Sequence, residues 1–534
     1  MKATVRSGLA GVAAAAVALG AAESVAAGTG ADSSPLVAVG AVVVDHVPAS
    51  VKDFGIAVFG VHDKTALLVG TAILLACYAY GLGVVGRRRW PWAVAGIGLF
   101  AVAGVVAAVT RPGAGATAAL PALIGAGLAV PVLRYLLAAA DGRSESGHRG
   151  AAAAGGTDRG GAPAAEAGRD EGAGTAVHAY PRESRRRFLK GLGIAGVAAL
   201  AAGGAGRLIG SRRAVTSARQ SVVLPVAAEP APVVPAAAQV SGAVPWVTPN
   251  REFYRIDTAL VTPQVDPSSW TLRIHGMVRN PITITWAELL QRPMVERHVT
   301  IACVSNEVGG DLIGNALWLG TPIKALIDEA DPLPEADQAV QRSADGWTCG
   351  TPTAVLRDGR DALLAIGMNG EALPVPHGFP VRMIVPGLYG YVSACKWITE
   401  IELTRFADFD AYWVPRGWSA QGPIKTQSRI DSPRDGASKP AGAVTVAGVA
   451  WAQHRGVAKV ELQVDEGDWE TVTLAPTVSA DTWRQWTHTW QATPGTHTLR
   501  VRATDLDGAV QTADTAPPAP DGATGWHQVN IDVE

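Results

Sequence analysis

The sequence predicts an α+β protein in three parts: N-terminal transmembrane helices, a mixed α+β domain and a β-sandwich of immunoglobulin type. Residues 1–215 are rich in Ala, Gly and Val, whereas 14 of the 16 tryptophans lie after residue 240. From Val247 onward, short apolar segments alternate with turn residues. In the last hundred residues or so, such segments recur at roughly ten-residue spacing, which is typical of a sandwich.

Charge and length limit the classes of function. The 45 basic and 47 acidic residues leave a net charge of −2, so the chain has no polycationic surface and nucleic acid is not an expected partner. The 534 residues are enough for several domains of about 150 residues each.

Long uncharged runs predict membrane helices. Residues 7–22 follow Lys2 and Arg6, and this run is either a cleaved signal or a first spanning helix. Three further runs are long enough to cross about 30 Å of hydrocarbon: residues 65–86, 90–110 and 112–133. None of these runs contains histidine, so haem held by two histidines in the membrane is not expected.

Basic residues predict the orientation of these helices. If residues 7–22 are retained, the flanks at Lys2 and Arg6, at 87–89 and at 134–187 are all cytoplasmic. Residues 31–64, which carry several charges, then form an external segment, and residues 141–183 form a disordered cytoplasmic linker.

Residues 184–190 read S-R-R-R-F-L-K and precede the mildly apolar run 191–206, which we expect to be the last membrane helix. The string resembles a twin-arginine export signal, although an ordinary basic helix flank has the same composition. Such export moves folded proteins, so the downstream domain is expected outside the cytoplasm with its cofactor loaded.

The resulting domain prediction has six segments. They are membrane helices at 1–140, a linker at 141–183, the signal and last helix at 184–210, an extended Ala/Pro/Val linker at 211–245, a catalytic domain at 246–432 and the sandwich at 433–534.

Cys303 is the first candidate site residue. The β-branched residues 299–301 predict a short buried strand before it, and Ser305, Asn306 and the Gly309-Gly310 pair predict a turn after it. The strand therefore delivers one thiol into a polar loop. A buried cysteine is often only a small apolar side chain, so Cys303 alone is no more than a candidate metal ligand.

A second group of motifs lies further along the chain: M-N-G-E at 368–371, H-G-F-P-V-R at 377–382, V-P-G at 385–387 and K-W at 396–397. They place an imidazole, a guanidinium and an ammonium group on neighbouring loops, a set that suits a phosphate and a polar heterocycle. A surface loop with solvated charges is the alternative reading.

In order along the chain, these motifs resemble those of the sulfite oxidase superfamily of molybdenum enzymes, over about residues 245–534. The resemblance also includes Thr248-Pro249-Asn250, Phe253-Tyr254-Arg255 and Asp345-Gly346. It implies a molybdopterin cofactor without bound haem, in which Cys303 ligates molybdenum and the pterin dithiolene supplies two more sulfurs.

The resemblance also implies roles for the other matched residues. Tyr254 and Arg255 would act with Cys303 in catalysis by orienting the substrate, although Arg255 stands one residue earlier than in the animal members. The implied cofactor-binding residues are Asn250, Phe253, Tyr254, Asp345, His377, Arg382, Ser393 and Lys396.

The implied function is two-electron oxygen-atom transfer by a membrane-anchored protein whose catalytic domain lies outside the cytoplasm. The implied substrate is a small oxyanion, and the implied electron partner is a cytochrome or a quinone. The resemblance also implies a homodimer formed through the C-terminal domain. Sulfite-oxidising members carry arginines just after the metal cysteine, whereas this chain has Asn306-Glu307-Val308. The carboxylate of Glu307 repels sulfite. An S-oxide reductase of methionine sulfoxide type is therefore an alternative. A non-catalytic surface binding protein that keeps the fold is a third.

The remaining cysteines have simpler expectations. Cys349 and Cys395 either form a disulfide or stay reduced and buried near the cofactor, and Cys77 lies in an apolar run and is expected to be inert.

Overall fold

The structure is a computed structural model that describes residues 3–30, 33–46, 63–111, 114–141, 189–199, 201 and 215–534. Its contacts divide the chain into two compact units, Met1–Arg213 and Ala214–Glu534. The expected cytoplasmic linker from residue 142 onward and residues 184–188 of the export signal lie outside the described residues.

The first unit is helical. Its helices are α1 (Ala3–Thr29), α2 (Pro35–His46), α3 (Asp63–Arg88), α4 (Trp90–Val109), α5 (Leu120–Asp141) and α6 (Leu189–Ala199). The apolar helices over Ala3–Thr29, Ala66–Arg88, Trp90–Val109 and Ala116–Ala140 are long enough to cross a membrane. This confirms the prediction of membrane-length helices, because each is apolar over a membrane-spanning length that contains at most two charged residues.

The helix bounds differ from the sequence expectation in two places. The apolar stretch of α2 lies within the predicted external segment 31–64, because the charges there flank this stretch and leave only Asp45 and His46 at its end. Helix α5 begins at Leu120 and continues past Arg134, whereas the expected run was 112–133. Pro121 lies in the first turn of α5. Backbone amides there have no partner within the helix, so proline costs no hydrogen bond at this position.

The second unit begins with a largely extended segment that is hydrogen-bonded to the rest of that unit. In the short helix α7 (Thr216–Gln220), Arg219 donates hydrogen bonds to the carbonyls of Leu373 (2.7 Å) and Ala372 (2.6 Å) and pairs with Glu371. Further along, the Ala228 amide donates to the carbonyl of Met294 at 2.8 Å. The described part of the expected linker 211–245 is therefore bound first to the α+β domain and then, at Val240 and Val244, to Gln485 and Asp431 of the sandwich.

The α+β domain contains one mixed sheet and one antiparallel sheet. Their order is β2-β1-β10-β5-β6 in one and β3-β4-β7-β8 in the other, with β9 paired to β7. The strands are β1 (Thr271–Gly276), β2 (Ile282–Thr285), β3 (Val295–Ala302), β4 (Ile313–Pro322), β5 (Gln338–Ser343), β6 (Thr348–Pro352), β7 (Leu363–Met368), β8 (Glu371–Ala372), β9 (Arg382–Ile384) and β10 (Ile398–Thr404).

The two short helices of this domain follow from local sequence rules. Helix α8 (Trp286–Leu290) begins with a capping box in which Thr285 and Glu288 satisfy each other's backbone amides. Helix α9 (Ile323–Ala330) buries residues at the i, i+3, i+4 and i+7 positions, which form one apolar face. Both helices therefore follow from patterns that lie within their own sequence.

The C-terminal domain is a β-sandwich. One sheet has the order β11-β13-β17-β16 and the other β12-β19-β18-β14-β15. The strands are β11 (Gln427–Ser432), β12 (Ala437–Lys439), β13 (Gly442–Trp451), β14 (Val457–Val464), β15 (Glu470–Thr471), β16 (Thr473–Leu474), β17 (Arg484–Ala492), β18 (Gly495–Asp505) and β19 (His527–Val533).

Two details of the sandwich were not expected. Strand β11 lies before the predicted boundary at 433, since it pairs with β13. The segment from Glu470 to Leu474 is divided into β15 and β16, which belong to opposite sheets.

Thr300 in β3 joins the α+β domain to the sandwich. Its buried hydroxyl donates to Asn315 Oδ1 (3.0 Å) and accepts a hydrogen bond from the Trp483 amide (2.8 Å). We expect Thr300→Val to lower the free energy of unfolding by about 1–3 kcal/mol, because it leaves two buried polar groups without partners.

The measurement is urea unfolding of the detergent-solubilised full chain followed by tryptophan fluorescence. The control is Thr498→Val, which removes a solvent-exposed hydrogen bond to Asn530 and is expected to change little. Equal effects of the two substitutions would contradict the structural role of Thr300.

Candidate active site

Cys303 follows β3 directly and begins the loop that connects β3 to β4. Its amide donates to the carbonyl of Leu312 (2.9 Å), and its carbonyl accepts from the amide of Asn306 (3.1 Å). The side-chain oxygen of Asn306 accepts from the Leu312 amide (2.8 Å), so one asparagine closes both ends of the loop. These bonds hold the buried thiol at the end of a strand, where the sequence predicted it.

Burial raises the pKa of the Cys303 thiol, while hydrogen bonds from Ser305 and the charge of Lys396 oppose that rise. Without a bound cation the thiol is therefore protonated at neutral pH. A metal ion supplies the positive charge that makes the thiolate the stable form.

The H-G-F-P-V-R and K-W motifs place two cations and an imidazole together. Arg382 donates to the carbonyl of His377 at 3.1 Å, and its guanidinium lies 5.1 Å from the Trp318 ring centroid. Lys396 donates to Asp257 Oδ2 (2.9 Å) and to the carbonyl of Pro376 (3.3 Å). The motif residues are therefore buried together and do not form a solvated surface loop.

The pKa values in this cluster move in the direction that burial and crowded positive charge impose. Burial lowers the pKa of Arg382 to about 10. Burial and the charge of Arg382 lower the pKa of Lys396 to about 8, although Asp257 opposes this shift. Burial and the charges of Arg382 and Lys396 lower the pKa of His377 to about 4. The imidazole is thus neutral, and its Nε2 donates to the carbonyl of Asn250 at 3.1 Å.

An aromatic group lies beside these charges. The Phe253 ring is 5.3 Å from Tyr254, 5.9 Å from Trp318 and 5.7 Å from His377, measured between ring centroids. Burial, with a smaller contribution from Cys303, raises the pKa of Tyr254 well above its usual value, and Arg382 acts in the opposite direction. Tyr254 therefore stands as a protonated phenol within electrostatic reach of both the thiol and the guanidinium.

The other residues expected at the site have partners within the protein. Arg255 bonds to Asp257 (2.9 Å) and Thr262 (2.9 Å), with 41% of its side chain exposed. Asp345 accepts from the Trp347 amide at 3.2 Å. Asn250 donates to Glu371 (2.6 Å), and the buried hydroxyl of Ser393 donates to the carbonyl of Tyr389 (2.9 Å).

Three residues of this region were not expected from the sequence: Asp257, Trp318 and Tyr389. Asp257 is buried and links Arg255 to Lys396, which is 139 residues away, so no local pattern indicates the contact. Burial raises the pKa of Tyr389 to about 12, with Cys303 among the smaller causes. The V-P-G turn that precedes Tyr389 is the only sequence signal for it.

Cys349 and Cys395 are both free thiols and fully buried. Burial, and then the neighbouring Cys349 thiol, raises the pKa of Cys395. The structure therefore has the reduced form of this pair. Cys77 lies in α3.

The charge balance fits an anionic cofactor. Arg382 and Lys396 are buried with Asp257 as the neighbouring buried carboxylate, and Arg255 shares that carboxylate. The buried Arg382 Nε has no partner among the described residues. A phosphate group accepts such donors in a fork and offsets the excess positive charge, while Cys303 offers the soft ligand that a thiophilic metal prefers.

Comparison with known proteins supports the same reading. Residues 259–413 match the family model of the oxidoreductase molybdopterin binding domain, and residues 427–501 match a bacterial Ig domain. The chain is 30% identical over 188 residues to the uncharacterized oxidoreductase YuiH of Bacillus subtilis (strain 168), covering 34% of this chain and 89% of that protein.

The chain belongs to the sulfite oxidase superfamily of molybdopterin-dependent oxidoreductases.

Two further relatives are named for the two candidate activities, sulfite oxidation and methionine sulfoxide reduction. Chicken (Gallus gallus) sulfite oxidase is 28% identical over 323 residues, covering 51% of this chain and 69% of that protein. The catalytic subunit of the protein-methionine-sulfoxide reductase MsrP of Gluconobacter oxydans (strain 621H) is 30% identical over 216 residues, covering 35% of this chain and 65% of that protein. Membership in the superfamily confirms the predicted fold class and the molybdenum and molybdopterin cofactor.

We expect Arg382→Gln to lower the cofactor content of the purified protein by about tenfold to a hundredfold, because a charged hydrogen bond contributes about 1.5–3 kcal/mol. Molybdenum is measured by mass spectrometry and pterin by fluorescence after oxidation. The control is Arg342→Gln, since Arg342 pairs with Glu400 and Glu402 on a sheet surface. Full cofactor content in the Arg382 variant would exclude this residue from the binding site.

Proposed function

We propose that this molybdenum-dependent oxidoreductase carries out two-electron oxygen-atom transfer, with Cys303 as the metal ligand from the protein. The observation that carries the proposal is the buried thiol at the end of β3, within electrostatic reach of Lys396 and of the Tyr254 hydroxyl. Bound beside it, molybdopterin supplies a metal that changes its oxidation state by two electrons and exchanges oxygen with the substrate.

The cation cluster holds the cofactor in this proposal. Arg382 and Lys396 bind the phosphate, and Lys396 exchanges part of its contact with Asp257 for the ligand. His377, neutral and fixed by Asn250, orients the pterin without adding charge. Asp345 and Ser393 contribute polar contacts, and Phe253 forms an apolar wall.

Tyr254 and Arg255 orient the substrate in this proposal. Tyr254 stays protonated because burial raises its pKa, so its hydroxyl is a permanent donor to a substrate oxygen. Arg255 is half-exposed and partly neutralised by Asp257, so it adds a weaker attraction for an anion. Both side chains act on charge that develops at oxygen, which is where fixed donors stabilise a transition state.

Sulfite is the first candidate substrate and an S-oxide is the second. Glu307 stands after the metal cysteine and its side chain is exposed, so water screens its repulsion of an anion. No arginine occurs among Asn306, Glu307 and Val308, which favours a neutral S-oxide. A non-catalytic binding protein has no need for the buried Cys303, His377 and Arg382.

The apolar helices serve as the membrane anchor, and the export-like string at 184–190 directs the second unit out of the cytoplasm. Electrons then pass to or from a cytochrome or quinone. The C-terminal sandwich is the surface for a homodimer. These are proposals about the whole protein and rest on the sequence patterns given above.

Cys303→Ser tests the metal ligand. We expect molybdenum-dependent turnover to fall by at least about a hundredfold, since even outer-shell changes at metal sites cost 10–100-fold. X-ray absorption at the molybdenum edge should show one sulfur fewer. Cys77→Ser is the control, because it removes a thiol from a helix of the other unit. An unchanged sulfur count in the Cys303 variant would refute the assignment.

The direction of reaction is tested by two assays of the cofactor-loaded full chain. One measures sulfite oxidation with an artificial electron acceptor, and the other measures methionine sulfoxide reduction with an artificial donor. Turnover in the first supports the sulfite reading, and turnover in the second alone supports the alternative. A loaded protein that is inactive in both would contradict both.

A further inference from the structure

The β-sandwich contacts the loop that carries Cys303. Arg429, in β11, is 7% exposed and donates to the carbonyl of Gly310 at 2.7 Å. Its Nε donates to Asp431 at 2.6 Å, and the Asp431 carboxylate is itself buried. The guanidinium is therefore fixed on one side by its own strand and reaches the loop with the other.

His527, the first residue of β19, covers the neighbouring glycine of the same loop. Its Nδ1 accepts a hydrogen bond from the Ile430 amide at 3.0 Å, which holds the plane of the ring. A Cβ atom at Gly309 would lie 2.1 Å from the ring carbon Cδ2, and Gly309 has a φ of +78°. Only glycine fits between this ring and the loop backbone.

The sandwich also covers the free edge of β3. This strand is the outermost in its sheet, with β4 on one side. On the other side, the amide of Thr300 donates to the carbonyl of Asp481 (3.0 Å), and its carbonyl accepts from the Gln453 side chain (3.2 Å). Thr300, which precedes Cys303, and Gly309 and Gly310, which follow it, are thus all in contact with the sandwich.

We propose that Arg429 and His527 are positioning residues, which hold the loop 303–312 so that the Cys303 thiol meets the metal in one orientation. The inference rests on the proposed role of Cys303 as metal ligand. It assigns the sandwich a part in the catalytic site of its own chain, whether or not the chain dimerises. Neither residue touches the reacting atoms, so each acts through the loop backbone.

The geometry links these contacts to the thiol by a short path. Gly310, which binds Arg429, donates its own amide to the carbonyl of Glu307 at 2.9 Å. Asn306, next to Glu307, bonds to both Cys303 and Leu312. Release of Gly310 therefore loosens the turn that sets the direction of the thiol.

The test compares Arg429→Met with Arg484→Met in the loaded full chain. Arg484 is a matched control, because it donates to the carbonyls of Ala475 (2.8 Å) and Val457 (3.0 Å) inside the sandwich. The readouts are hydrogen exchange of the loop amides, the spectrum of paramagnetic molybdenum, and kcat and KM for whichever substrate is turned over.

We expect Arg429→Met to accelerate exchange of the loop amides by about tenfold to a hundredfold, as loss of a charged hydrogen bond predicts. The molybdenum spectrum should change, and kcat should fall while KM stays within about twofold, since substrate groups are untouched. Arg484→Met should leave loop exchange and the spectrum as in the wild type. Loop exchange and a spectrum equal to the wild type in Arg429→Met would overturn the proposal.

His527→Ala is the second variant, for the case that Arg429→Met does not fold. It opens space over Gly309 without leaving a buried charge unpaired, and faster exchange at Gly309 and Gly310 with an altered spectrum is expected. Unchanged values would count against the proposal. Failure of the metal assignment can be distinguished from failure of this proposal. If Cys303 is not the metal ligand, Cys303→Ser keeps the wild-type number of sulfur ligands at molybdenum, whereas the effect of Arg429→Met on loop exchange is unaffected.

Discussion

The site depends on strand β3 being bound along both edges. An outer strand ordinarily leaves a row of amides and carbonyls to solvent. In this chain β4 pairs with one edge, and Asp481 and Gln453 bind the backbone of Thr300 at the other. The strand therefore has little freedom to slide or twist, and the thiol that follows it has a defined position.

The second constraint is the cost of buried positive charge. Each ion taken out of water costs several kcal/mol unless it is paired. Arg382 and Lys396 are both buried, and Asp257 pairs with Lys396 at 2.9 Å. In the proposed binding mode an anionic cofactor would supply the missing charge, and cofactor binding would then be coupled to the stability of this unit through the same residues.

The loop after Cys303 combines two properties. It carries Asn306 and Glu307, which bear on the charge of an acceptable substrate, and it carries Gly309 and Gly310, which contact the sandwich. A change of substrate preference in this loop is therefore limited by the contacts that keep the thiol in place. The residues that bear on substrate charge and the residues that contact the sandwich therefore lie within the same eight residues, from Cys303 to Gly310.

The sequence by itself determined the parts of this protein that depend on local pattern. Uncharged runs determined the apolar helices, the capping box at Thr285 determined the start of α8, and ordered motifs from Asn250 to Lys396 indicated the cofactor. Alternating segments indicated the sandwich, although its first strand β11 lies before the expected boundary. These features are readable because each arises from neighbours in the chain.

Tertiary structure alone decided how the charges are shared and what supports the thiol. The pairing of Asp257 with Lys396 spans 139 residues, and that of Arg429 with Gly310 spans 119. Neither has a local signal, because a hydrogen bond between residues so far apart in the chain depends on how the folded chain packs. The pattern of residues indicated a thiol at the end of a strand, whereas only packing shows that a second domain holds its loop.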